Sequence, residues 1–314
     1  MEKRWFILVF LVVLAGCAGL IRGQQKDTTS GAFVGGTQGI SLSFIEGEPP
    51  AGVLDNNQEA FLITLMLRNE GEFTVPVGRI IASLSGVSQE SFNLKSLDAK
   101  SDFALEKKSK ARDATLPGGQ EELSFREAKY KPDLPADFSI DLRADICYDY
   151  QTEAVTSVCL RKNVLERDEI EDNCRVDNTN IKAENSGGPI QISNVVERPS
   201  GNSKVRVSFD VSNKGIGVVY EPNTFSKSCS GNDDKKDALF IEVTSTSNKY
   251  KITCSKFGSS NKGIIRLVNG AKNLNCEIDT SGLQEVSFTD FLLIRAKYMY
   301  RDAVSVPITI ENAE

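Results

Sequence analysis

Two stretches of this chain follow one plan. Phe61, Ile63, Leu65 and Leu67 alternate with Leu62, Thr64, Met66 and Arg68 and run into Asn69-Glu70-Gly71. At an offset of 144 residues, Val205, Val207, Phe209 and Val211 alternate with Arg206, Ser208, Asp210 and Ser212 and run into Asn213-Lys214-Gly215. Alternation with a period of two is the signature of a half-buried strand, and Asn-x-Gly marks the turn that ends it. Two further matches follow in the same order: Gly119 to Phe125 (GQEELSF) with Leu283 to Phe288 (LQEVSF), and the segment from Ile146 with the segment from Ala296. The last match aligns Tyr148 and Tyr150 with Tyr298 and Tyr300. A length of 314 residues suits two domains of ~150 residues each. The repeat therefore predicts two copies of one β-domain, residues 38–163 and 189–314, joined by a polar linker over 164–188. Short β-rich runs broken by Gly, Pro and Asn favour a two-sheet antiparallel sandwich for each copy. The paired tyrosines, at i and i+2, share a strand face. They read as packed rings with bonded hydroxyls, or as a carbohydrate-stacking platform.

The start of the chain bears on its compartment. Lys3 and Arg4 precede an apolar run, Trp5 to Leu14, that closes in Leu14-Ala15-Gly16-Cys17. Basic, apolar and small-residue regions in that order make a secretory signal over 1–16. The last four residues resemble a lipobox, which implies cleavage before Cys17 and lipid attachment to it. The alternative is an uncut anchor, since Trp5 to Ile21 carries no charge. Both place the remainder outside the cytoplasm and attached to a membrane, with residues 17–37, rich in Gly, Gln, Thr and Ser, as a flexible tether.

Cysteine usage agrees. Beyond Cys17 there are six: Cys147, Cys159, Cys174, Cys229, Cys254 and Cys276. An even number without any Cys-x-x-Cys favours a disulfide framework over zinc or redox chemistry. A hairpin turning near Glu153 would set Cys147 opposite Cys159, within bridging reach. The other four allow three pairings, of which Cys254–Cys276 with Cys174–Cys229 is the one expected here.

The chain has no histidine. That excludes Ser-His-Asp and Cys-His nucleophiles, His-ligated zinc and imidazole acid–base catalysis. It leaves carboxylate pairs, Ser-Lys chemistry and oxygen-ligated calcium. Asp141 and Asp145 share a predicted strand face but lie ~13 Å apart, too far for a retaining glycosidase. Glu169, Glu171 and Asp172 fall in the exposed linker. Asp233, Asp234 and Asp237 cluster in one loop, but Lys235 and Lys236 interrupt the alternate spacing that calcium requires. No catalytic residue, metal or cofactor is expected. A net charge of −6 gives no footprint for nucleic acid. The basic string Lys107, Lys108, Lys110 and Arg112 could meet an anionic polymer or lipid; without aromatics around it, it reads as a solvated loop.

The order of alternating strand, Asn-x-Gly, Leu116-Pro117-Gly118-Gly119, apolar strand and closing hairpin resembles the Ig-like and CARDB-type adhesion modules of archaeal and bacterial surface proteins. Phe61 to Gly71, Leu116 to Phe125 and Phe138 to Leu160 carry the likeness in the first copy, and Val205 to Gly215 and Leu283 to Ile310 in the second, which lacks the Pro-Gly. The resemblance implies an all-β chain of two tandem Ig-like antiparallel β-sandwich domains after an N-terminal signal or anchor, with no catalytic site. The expected role is non-catalytic binding, adhesion or envelope assembly with a protein or glycan partner at the cell surface. The rivals are a self-associating subunit of a surface layer or filament, with Val304 to Ile310 as an exchangeable strand, and a histidine-free polysaccharide hydrolase.

Overall fold

Residues Phe138–Arg161 and Ser287–Glu311 each form one unbroken strand, and the two pair antiparallel from Phe138↔Ile310 to Arg161↔Ser287. The first contains no Gly, Pro or Asn that would turn it. From Leu142 to Leu160 its even-numbered residues, among them Ile146, Tyr148, Tyr150, Ala154 and Val158, stay buried. The inward face is thus continuous through Glu153, and the expected hairpin does not form. The structure is a computed structural model that describes residues 31–112, 114–165, 174–284 and 287–313. The signal region and Cys17 lie outside them, as do Glu169, Glu171 and Asp172.

In chain order the strands are β1 (Ile40–Phe44), β2 (Gly52–Leu54), β3 (Phe61–Asn69), β4 (Ile80–Ser85), β5 (Asp98–Lys100), β6 (Ser109–Ala111), β7 (Ala114–Leu116), β8 (Gln120–Ala128) and β9 (Phe138–Arg161). There follow β10 (Asn180–Ile181), β11 (Ala183–Asn185), β12 (Ile190–Pro199), β13 (Lys204–Asn213), β14 (Val218–Tyr220), β15 (Ala238–Ser245), β16 (Ile252–Cys254), β17 (Lys262–Arg266), β18 (Ala271–Asp279) and β19 (Ser287–Glu311). The protein is all-β. A large sheet runs β17-β15-β19-β9-β4-β5, with β11 added to β9 and β14 and β2 added to β19. Two smaller sheets, β1-β3-β8 and β10-β12-β13-β18-β16, pack against it. Phe61, Ile63, Leu65 and Leu67 of β3 and Val205, Val207, Phe209 and Val211 of β13 point into the same apolar core as the even-numbered residues of β9 and β19.

The expectation of two separate domains therefore gives way to one compact unit, Gly31–Glu314. The 24-pair β9–β19 ladder fuses the halves into a common sheet. The halves do repeat each other. Asn69 faces Ile40 and Asn213 faces Ile190 in their ladders. The Asn69 N–H donates to the Gly119 carbonyl (2.9 Å), as the Asn213 N–H does to that of Gly270 (2.8 Å). This equivalence overturns one of the sequence matches: Gly119-Gln120 corresponds to Gly270-Ala271 at the head of β18, whereas Ser287 and Phe288 begin β19. Tyr148 lies opposite Tyr300 and Tyr150 opposite Tyr298, so the halves are related by a near two-fold through the Asp149↔Met299 pair.

The disulfides follow from this topology. Cys147 and Cys159 sit twelve residues apart on one extended strand, ~40 Å at the usual rise, and cannot bridge. The structure instead joins Cys147 to Cys229 and Cys159 to Cys174, each with Cα atoms 5.6 Å apart. The expected Cys174–Cys229 bond is replaced by these two. Cys254 is bridged to Cys276, its direct ladder partner. The Cys147–Cys229 bond draws the segment after β14 onto the outer side of the large sheet, where Cys229, Tyr220 and Phe225 pack with Ile81 and Met299. Three disulfides assign the chain to an oxidising, extracytoplasmic compartment. Among the described residues, no helix is long and apolar enough to cross a membrane.

The presumed tether and linker are built into the fold where they are described. Val34 and Gly35 donate backbone N–H bonds to the Glu72 carboxylate (2.9 and 2.8 Å), and so does Gly187 (2.7 Å). Within 174–188, β10 pairs with β12 and β11 with β9. A half-buried carboxylate acceptor and sheet pairing turn both segments, polar in sequence, into fixed structure.

Candidate functional site: a lysine-lined cleft

Along the β9 edge that faces away from β19, β4 pairs as far as Tyr148 and β11 resumes at Ala154. Residues 149–153 lie in the notch between them. Loops converge there around a cleft of about 490 Å3, lined by residues 32–33, 72–74, 107–110, Gln151, Glu153 and Ser186.

The basic string is pinned on one wall. The Lys108 N–H donates to the Gly71 carbonyl (2.8 Å) and the Lys107 N–H to the Thr74 hydroxyl (3.2 Å). Just before them, Val75 and Leu105 exchange N–H···O bonds of 3.0 and 2.9 Å. Gly71 and Thr74 owe their places to the Asn69-Glu70-Gly71 turn: the Asn69 side-chain oxygen accepts the Gly71 N–H (3.1 Å), and its side-chain amide donates to the Phe73 and Leu105 carbonyls (2.7 and 3.1 Å). Phe73 sets its ring edge-on to Tyr150, with centroids 5.5 Å apart. Phe33 arrives from the segment that Glu72 clamps.

The carboxylates here are already engaged. Glu72 accepts three backbone N–H bonds. Glu153 accepts from Arg295 and from the Gln151 amide, both at 3.0 Å. Lys108 pairs with Glu70 at 3.0 Å and Lys110 reaches the Gly31 carbonyl at 3.4 Å. Among the described residues the Lys107 ammonium has no ion-pair partner. Lys107, Lys110 and Arg112 are exposed, as a solvated string would have them, but the backbone at Lys107 and Lys108 is fixed and two aromatic rings stand beside it. Sequence reasoning missed them because Phe33 and Phe73 lie 74 and 34 positions upstream of Lys107. Arg112 does not line the cleft; it turns the β6–β7 hairpin with a φ of 52°.

Other predicted residues fall elsewhere. Tyr148, Tyr150, Tyr298 and Tyr300 are at most 2% exposed and form a closed cycle of rings with centroids 5.7 to 6.3 Å apart. The Ile40 N–H donates to the Tyr148 hydroxyl (3.1 Å), and the Tyr298 hydroxyl lies 2.7 Å from that of Thr152. Burial lifts all four phenols well above their ordinary range, up to about 12 for Tyr300. They are a packed core, with no surface to offer a sugar. Asp145 forms a two-point contact with Arg143 (2.9 and 2.9 Å) beside Asp141 on β9. Asp233 and Asp234 lie in an exposed 3-10 turn, and the Asp234 carbonyl accepts from Arg266 at 2.6 Å. No group of three or more metal-ligating acids or cysteines occurs among the described residues. Val304 to Ile310 is paired with β9 along its length and with β2 from Thr309.

Among the described residues four carboxyls are buried outside the cleft: Asp55, Glu121, Glu197 and Asp290. Glu197, 2% exposed, accepts the Cys159 N–H at 2.7 Å; burial raises its pKa to about 7 against the pull of that bond. Asp290 accepts from Thr246, Ser247 and Tyr250 (2.7, 2.5 and 2.8 Å) and is held below its ordinary pKa by those bonds against the opposing effect of burial.

No family model matches the chain, and no curated protein does. Among solved structures, 83% of the chain aligns with the secreted serine protease VesC from Vibrio cholerae, at 8% identity and a TM-score of 0.20. The chain spans half the length of that protein, and a likeness at this level carries no argument about fold or activity.

Proposed function

We propose that this protein is a membrane-tethered, extracytoplasmic, non-catalytic binding protein that captures a protein or glycan partner at the cell surface. In this reading Cys17, or the uncut apolar run around it, supplies the tether. Each half is an Ig-like sandwich fused to its copy through β9 and β19, and the three disulfides keep the scaffold rigid outside the cell. The observation that carries the proposal is the cleft at the β9 notch: cationic and aromatic groups presented on pinned backbone, with its carboxylates engaged by the protein itself. Binding residues carried on loops over a rigid sheet scaffold are the common arrangement for recognition. Purified chain on beads, exposed to solubilised envelope material, should retain a defined component, and a variant with Lys107 and Lys110 changed to Gln should lose it. Mass spectrometry of the mature N-terminus should find lipid on Cys17 or an intact Met1 peptide. A free, unlipidated Cys17 terminus would remove the tether from the reading.

A further inference from the structure

We propose that the cleft at the β9 notch takes an acidic carbohydrate, a uronate-bearing glycan whose carboxylate meets Lys107 and Lys110 while a sugar face lies against Phe33 or Phe73. The inference rests on the binding role proposed above and names its ligand class.

Each feature of the cleft selects against the alternatives. Its volume, about 490 Å3, lies in the range of small-ligand sites and is concave, which a flat bilayer surface cannot enter. An extended peptide would need an open strand edge. Here β9 is capped: the Ser186 N–H donates to the Glu153 carbonyl (2.7 Å) and the Glu153 N–H donates to the Ser186 hydroxyl (2.9 Å). What remains open is a cationic rim over two half-buried rings, with the Gln151 amide among hydroxyl groups. Aromatic faces accept the C–H face of a sugar, amides and hydroxyls match its hydroxyls, and lysine supplies a point charge for its carboxylate. Glu72 is held by three backbone N–H groups and Glu153 by Arg295, so neither carboxylate is paired with Lys107 or Lys110.

The test uses the full chain in detergent with three probes: oligogalacturonate, neutral dextran and poly-glutamate. Oligogalacturonate should bind, more weakly as salt is added, and dextran should not. Lys107→Gln/Lys110→Gln should weaken that binding by about tenfold or more, and Phe33→Ala by several-fold, with urea midpoints unchanged. Poly-glutamate binding as tightly as oligogalacturonate, with Phe33→Ala silent, would overturn the glycan assignment in favour of bulk charge. Absence of oligogalacturonate binding would overturn it as well. The broader role fails separately, when beads carrying the unmodified chain retain no envelope component.

Discussion

The Tyr150 hydroxyl donates to the side-chain oxygen of Asn69 at 3.3 Å, and the equivalent Tyr300–Asn213 bond in the second half has the same length. Each asparagine also accepts the N–H of the glycine two residues on, at 3.1 Å. The surroundings differ. Asn69 is fully buried and its amide donates to two carbonyls, whereas Asn213 is half-buried and donates to one, that of Gly217 at 2.9 Å. Replacing Asn69 with Ala strands more buried groups, each costing about 1–3 kcal/mol. Asn69→Ala should therefore lower stability by about 3 kcal/mol or more, and Asn213→Ala by about half as much, read as urea midpoints. Because the Asn69 turn places Gly71 and Thr74, only the first variant should also disturb the lysine-lined cleft.

The disulfide links order in the same way. The Cys147–Cys229 bond spans 82 residues and ties the two halves, while Cys159–Cys174 spans 15 within one stretch. By loop-closure entropy the first contributes about 4.5 kcal/mol and the second about 3. Cys147→Ser/Cys229→Ser should be the less stable double variant, and limited proteolysis should cut it first in the segment between Tyr220 and Ala238. Non-reducing peptide maps of the unmodified chain should join Cys147 to Cys229. A Cys147–Cys159 peptide would refute the single-strand course of β9.

The strands, their inward faces and the duplication were legible because each is a local pattern of alternation. Val205 to Val211 and Phe61 to Leu67 fill the core as their period demands. The fusion of the halves was not legible, because the partner of β9 lies up to 172 residues away in sequence. Nothing in CYDYQTEAVTSVC tells a hairpin from a long strand except the missing turn residue at its centre, and that absence was the signal available. The cleft was hidden for a related reason: nothing beside the lysine string in sequence shows that Phe33 and Phe73, far upstream, line the same cleft.

Glu197 makes stability depend on pH in a direction unusual for a carboxylate. Its folded pKa, about 7, lies above the ordinary 4.5. The folded state therefore binds the proton more tightly, and stability falls as pH rises from about 4.5 to about 7, by on the order of 3 kcal/mol, then levels. Glu197→Gln keeps an oxygen for the Cys159 N–H and removes the titration. It should match the unmodified chain at pH 4 and exceed it at pH 8, and urea midpoints that run parallel across that interval would sink the idea.

The near two-fold through Asp149 and Met299 has a consequence for the isolated halves. Residues 189–314 alone would expose the whole β19 edge that now pairs with β9, and the rings of Tyr298 and Tyr300 would lose Tyr150 and Tyr148. A long, uncovered strand edge beside apolar surface is a template for association. In an antiparallel pairing of β19 with a second copy of itself about Met299, Tyr298 again meets Tyr300, and the buried even-numbered face is preserved. The isolated second half should thus run as a dimer or larger species in size-exclusion chromatography. Adding residues 31–165 should convert it to a one-to-one complex, since these restore the β9 ladder together with the β2 pairing that a second copy lacks. A second half that stays monomeric at high concentration would show that the β9–β19 ladder is not what holds the two copies together.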